Sequence, residues 1–243
     1  MINIADPNHK RGIVLLQLGF RPFFLGASIF SVIAIALWMG IYNFGWQMQL
    51  LDIPSTTWHA HEMLFGYLLA VIAGFLLTAV KNWTGEQTVN GPVLLLLFIL
   101  WVAARLMPIF NIGSLELLAL VDCMFLVGLV LSVTAPVLKV KQWAQSGILA
   151  LLILMLAANM VFYAGLLGML ENGALIGIYS GLYLVLLLVF VMARRVIPFF
   201  IERGTGMTTQ LTNKICVDKA IFALFVLLWL VDVPLSQPIP ITV

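Results

Sequence analysis

Continuous apolar runs alternate with short polar links along this chain, and within the runs the hydrophobic residues are not spaced two apart. Runs of this kind read as helices rather than barrel strands, whose lipid-facing and lumen-facing positions alternate. Each is about 20 residues long, enough to carry a helix across a ~30 Å hydrocarbon core, where only helices and closed barrels satisfy their backbone hydrogen bonds. The pattern predicts spans at about 22–42, 59–80, 92–110, 115–137, 147–169, 174–193 and 215–234. The seventh is the weakest signal, because its unbroken apolar stretch runs only from Ala220 to Val231 and Asp218 and Lys219 must snorkel toward the interface. With links this short, residues 1–243 are expected to form one all-α domain, a polytopic transmembrane helix bundle of about seven spans.

Composition points the same way. Charged residues make up 9% and hydrophobic residues 63%, against about a quarter charged in a soluble domain, and mean hydropathy is +1.13. The net charge of +2 matters through its placement, since cytoplasmic loops carry the excess of lysine and arginine. With a cytoplasmic N-terminus, Lys10, Arg11, Arg21, Lys81, Lys139, Lys141, Arg194, Arg195, Arg203, Lys214 and Lys219 all fall inside; Arg105, near the outer end of the third span, is the exception. Asp52, Glu171 and Asp232 lie in the outer connections. The first apolar run, Ile13 to Leu18, leads into Gly19-Phe20-Arg21-Pro22 without a small-residue cleavage site, so the first span is expected to act as an uncleaved anchor. Pro22 suits a first helical turn, and Pro198 is expected to end the sixth span. Cys123 and Cys216 imply neither a disulfide framework nor a zinc cluster.

Candidate chemistry concentrates at the outer start of the second span, in Trp58-His59-Ala60-His61-Glu62-Met63-Leu64-Phe65-Gly66. On a regular helix His59, Glu62, Met63 and Gly66 share a face, while His61 points the other way with Trp58 and Phe65, so both imidazoles cannot ligate one ion. Three arrangements remain: one ligand and one structural histidine, two separate sites, or a helix that starts late, with Thr57 as its cap and His59 in the preceding loop. His59 with Met63 is a soft set suited to copper, and either histidine suits an axial haem position. The plainer reading makes both interfacial anchors beside Trp58. Glu62 either orients an imidazole or meets water.

Elsewhere, Arg21, Arg194 and Arg195 at the inner face either clamp an anion such as a haem propionate or simply obey topology. Asp122 stands inside the fourth span, where a carboxylate either bonds to another helix or marks a site or proton path. Asn159, in the fifth span, reads as interhelical glue. Gly66, Gly74, Gly165, Gly168, Gly177 and Gly181 recur at spacings that let helices approach closely. The scattered methionines in the spans read as packing.

Four stretches, Gly-Phe-Arg-Pro-Phe-Phe at 19–24, Trp-His-Ala-His-Glu-Met-Leu-Phe-Gly at 58–66, Gly-Phe-Leu-Leu-Thr-Ala-Val-Lys-Asn-Trp-Thr-Gly at 74–85 and Arg-Val-Ile-Pro-Phe-Phe at 195–200, together resemble the NnrS family in order and spacing. The resemblance implies a multi-pass protein of the bacterial inner membrane linked to nitric oxide and nitrosative stress, with haem and copper as cofactors and no settled reaction. Carried over position by position, it puts the family's histidines on His59 and His61, its acidic neighbour on Glu62 and its arginine motifs on Arg21 and Arg195. Members are generally longer and bear a further histidine-bearing helix in their later half. The resemblance therefore implies a short form lacking the later spans, whose metal or haem site a partner subunit or second copy would complete.

The reading favoured here is thus a haem- and copper-associated membrane protein that meets membrane-soluble nitric oxide near His59 and His61. A rival is a transporter or channel for a metal ion or small metabolite, with Asp122, Asn159 and Arg105 along its path, although the broken helices and inverted repeats of many transporters are not evident. A third is a non-catalytic assembly partner. Soluble-enzyme and nucleic-acid readings find no phosphate-cradling loop, nucleophile elbow or basic groove.

Overall fold

A computed structural model describes residues 13–205 and 215–235, and these are helical throughout apart from short links and turns. The helices are α1 (Phe20–Phe44), α2 (Ser55–Thr84), α3 (Gly91–Phe110), α4 (Leu115–Lys139), α5 (Ser146–Leu166), α6 (Gly173–Thr205) and α7 (Ile215–Leu235). Six are long and apolar enough to cross a membrane, and α7 holds a shorter apolar stretch, Ala220–Val233. Six of the seven expected spans coincide with long apolar helices, and two expectations are corrected. Pro198 lies inside α6 instead of ending it; an interior proline removes one backbone hydrogen bond, a loss that membrane helices tolerate. The late start of α2 is also absent: Pro54 precedes the helix, Ser55 opens it without a side-chain cap, and His59 and His61 both stand within the helix.

Packing divides the chain into two compact units, Met1–Leu149 and Ala150–Val243. In the first, α1 and α2 run antiparallel in close register. A Cβ on Gly19 would stand 2.4 Å from Leu77, one on Gly74 2.8 Å from the Phe24 ring, and one on Gly66 3.0 Å from the Phe30 ring. The Phe20 N–H donates to Thr78 Oγ1 at 3.3 Å, so the 19–24 and 74–85 motifs meet at one end of this unit. That end also carries the Lys139–Glu86 ion pair at 2.7 Å between α4 and the α2–α3 link. The 58–66 motif lies at the opposite end. Glycine ends both helices there and here: Gly45 (φ 67°) and Gly85 (φ 73°) take the left-handed conformation that closes α1 and α2. An aromatic core of Phe23, Phe30, Phe98, Trp101 and Phe125 joins α1, α3 and α4.

In the second unit, α5 and α6 touch backbone to backbone. A Cβ on Gly165 would lie 2.0 Å from the Ala174 nitrogen, and one on Gly177 2.6 Å from Phe162. Tyr183 donates to Asp232 at 2.8 Å and Trp229 to Ser180 at 2.9 Å, fastening α6 to α7. Gly168 serves the link instead of a helix contact, with φ at 72° and nothing within 4 Å of a Cβ.

Candidate functional site

The chain reaches the histidine motif through a strained turn. Leu50, Leu51 and Asp52 have φ of 49°, 55° and 61°, a left-handed conformation that side chains with a Cβ rarely adopt. Leu50, Leu51 and Ile53 are buried, and the Leu51 N–H donates at 3.1 Å to Asn111 Oδ1, from the α3–α4 link. The Asn111 amide in turn donates to Gln49 Oε1. Tertiary contacts thus impose the conformation and deliver Ser55 to the start of α2.

From Glu62 to Leu68 the helix widens into a π turn, in which each N–H reaches one residue further back. The Leu69 N–H, for example, donates to the Leu64 carbonyl. The wider turn lowers the rotation per residue from Glu62 onward, yet Glu62 and Gly66 still share a face as on a regular helix. Glu62 makes its direct contact with its sequence neighbour His61. His61 does keep the company expected of it: Trp58 and Phe65 are buried with it, and its ring stacks on Phe65 at 5.1 Å.

Four charged or titratable side chains from three helices close a ring here. His61 Nδ1 lies 3.2 Å from Glu62 Oε1, Glu62 Oε2 lies 3.0 Å from Arg105 Nη1, Arg105 Nη2 donates to Asp122 Oδ1, and Asp122 Oδ2 lies 3.6 Å from His61 Nε2. None of the four is more than 3% exposed, so water does not screen these charges. At 1.5 Å per residue, Arg105 sits about 8 Å from the end of α3 and Asp122 about 10 Å from the start of α4, below the surface of the spans. Buried charges at such depth are tolerated when each has a partner. Asp122 therefore bonds to another helix, as one of its two readings had it, and Glu62 orients an imidazole instead of meeting water.

Residues on α3 hold the π turn at its first residue and again at Gly66. Trp101 Nε1 donates to the Gly66 carbonyl at 3.0 Å, and one helical turn later Arg105 holds Glu62. Gly66 has no room for a side chain, since a Cβ would lie 2.7 Å from both Arg105 Nη1 and Glu62 Oε2. Trp101→Phe keeps the aromatic packing and removes the donor; the expected cost is about 1 kcal/mol of stability, read as a lowered unfolding midpoint in detergent.

His59 stands apart from the ring. It is half-buried and its imidazole stacks on Trp38 of α1 at 4.3 Å and 9°; Trp38 stacks in turn on the exposed Tyr42 at 5.6 Å. Its Nδ1 is buried without a hydrogen-bond partner. An orphaned imidazole nitrogen fits a single ligand position such as the axial position of a haem. Among the described residues no group of three or more histidine, cysteine, aspartate or glutamate side chains could hold a metal ion. Met63, the expected soft partner, is half-buried in the π turn.

The arginine motifs are engaged differently. Arg21 Nη1 donates to the Val14 carbonyl at 2.6 Å and to Gln17 Oε1 at 3.1 Å, which ties the start of α1 to the preceding turn. Arg194 lies in the second unit, and the Arg195 side chain is outside the described residues. Asn159 is fully buried in α5. Arg105 stood out in the sequence as the exception to topology and as one of three polar residues of a possible transport path with Asp122 and Asn159, and in the fold it is the centre of the ring. The available signal was that exception itself: a cation inside a span needs a carboxylate, and on the next helix Asp122 lies at a similar depth, whereas Glu116 stands in the first turn.

These features define a polytopic α-helical membrane protein with a buried His–Glu–Arg–Asp ring at one end of its first unit and an unpaired imidazole nitrogen beside it. The sequence matches the family described as NnrS protein over residues 14–242, and the chain belongs to that family. No match was found among curated proteins or among solved structures.

Proposed function

We propose that this chain is a haem- and copper-associated protein of the bacterial inner membrane that acts in nitric oxide metabolism or resistance to nitrosative stress, with His59 as its ligand residue. Family membership supports the nitric oxide role. The observation that carries the choice of residue is the contrast between the imidazoles: Nδ1 of His59 is buried and without a hydrogen bond, whereas both nitrogens of His61 face carboxylates. A ligand nitrogen must offer its lone pair, and carboxylates that hold the ring compete for it. His59 would hold haem iron, or copper together with Met63 one turn away; the bound group would supply a redox-active metal that nitric oxide can reach from the lipid. His61 and Glu62 then serve the geometry of the helix rather than the metal.

The test is the optical spectrum and metal content of protein purified in detergent from haem- and copper-replete cells. A Soret band is expected in the wild type, absent in His59→Ala and retained in His61→Gln. Cells relying on His59→Ala should lose protection against a nitric oxide donor to the same extent as cells lacking the protein. No Soret band and no copper in the wild type would overturn the proposal, and equal loss in both variants would overturn the assignment to His59.

A further inference from the structure

We infer that Arg105 and Asp122, borne by helices remote in sequence from the histidine motif, are positioning residues that set the direction of both imidazoles. The inference rests on the reading of His59 as ligand and deepens it.

Three observations carry it. The ring is closed: going from His61 through Glu62, Arg105 and Asp122 returns to His61, so each nitrogen of His61 faces a carboxylate, at 3.2 Å and 3.6 Å, that Arg105 in turn fixes. The π turn is held from outside: Trp101 takes the Gly66 carbonyl and Arg105 the Glu62 carboxylate, one helical turn apart on α3 and one apart on α2. And the widened turn leaves Gly66 as the one residue type that fits beneath the ion pair. Isolated helices favour the α form, and π turns persist where their surroundings hold them, often at functional sites. Releasing the hold at Arg105 lets the turn relax to a regular helix. Relaxation turns every residue before it by up to about 100°, one residue's rotation. His59 then leaves Trp38, and its Nδ1 no longer points where it does. A ring that merely glued three helices together would have no such reach: its loss would lower stability and leave His59 undisturbed.

The chain holds three histidines, His9, His59 and His61, so protein labelled with ¹⁵N only in histidine shows three imidazoles, assigned by single His→Gln substitutions. Spectra are compared at one pH for wild type, Arg105→Lys, Arg105→Gln and Asp122→Asn, with monodispersity and helix content checked for each. Asp122→Asn keeps Arg105 beside Glu62 but removes the charged carboxylate that fixes its other Nη, so it loosens the hold on the π turn without abolishing it, and it is the variant expected to stay folded if the Arg105 variants do not. In every folded variant the His59 and His61 signals should shift together while His9 stays fixed, and Arg105→Lys, which retains the cation, should displace them less than Arg105→Gln. A folded variant whose His59 signal coincides with that of the wild type would overturn the inference, whether or not His61 moves. The readout needs no haem. Failure of the wild type to bind haem or copper would therefore sink the proposed function and leave this result standing on its own.

Discussion

Arg105→Leu is expected to destabilise the protein by about 3–5 kcal/mol, the cost of leaving a buried charge without its partner. The site puts this substitution toward the upper end of that range. Arg105 is 2% exposed and faces two carboxylates, Glu62 and Asp122, which are 2% and 0% exposed. Leucine fills part of the volume but leaves both acids facing each other across an apolar interior. Asp122→Asn provides the contrast. It removes a negative charge, keeps nearly the same shape, and leaves Arg105 paired with Glu62, so its expected cost is about 1.5–3 kcal/mol, the range for a hydrogen bond to a charged group. The order of the two, measured as unfolding midpoints in mixed micelles, is the diagnostic result. Equal costs would show that the ring does not depend on the one cation at its centre.

Gly66→Ala should destabilise by about 2 kcal/mol, against the general trend for glycine in helices. Alanine usually gains up to ~1 kcal/mol over glycine at an interior helical position. Here the new Cβ would stand 2.7 Å from Arg105 Nη1, 2.7 Å from Glu62 Oε2 and 3.0 Å from the Phe30 ring, whereas ordinary contacts lie near ~3.5–4.0 Å. The first two atoms end flexible side chains and can move, but they are the two ends of a 3.0 Å ion pair, so moving them apart weakens the ring. Overpacking costs of about 1–3 kcal/mol therefore outweigh the propensity gain. Gly147→Ala is the control: nothing lies within 4 Å of a Cβ there, and it should be neutral or slightly stabilising. A Gly66→Ala protein as stable as the wild type would mean that the ion pair does not occupy the space above Gly66.

The spans were legible because lipid imposes the simplest of constraints. A helix crossing hydrocarbon must be apolar over about 20 residues, so α1 to α6 can be read from composition within a window. The site was legible only in its inventory. Trp58 to Gly66 announced itself by gathering imidazoles and a carboxylate, and Asp122 by its depth. Which of these would meet was not legible. The face assignment assumed a uniform 100° per residue, and the π turn broke that assumption between His61 and Leu69. Nothing in Glu62-Met63-Leu64-Phe65-Gly66 marks it as π-forming, because the turn is held by Trp101 and Arg105 from another helix. The same holds for the left-handed turn at Leu50–Asp52, which no local preference favours and which Asn111 holds in place.

By itself, then, the sequence determined that this is a multi-span helical membrane protein of the NnrS family, where most of its spans lie, and which short segment gathers two histidines beside a carboxylate and a thioether. Those properties depend on residue type and on neighbours within about one helix length. The tertiary structure decided that Arg105 closes the ring, that His61 is bound into it, and that His59 is left with a nitrogen to offer. These outcomes depend on which side chains of α2, α3 and α4 face one another, and on a helical turn that only their contact holds open.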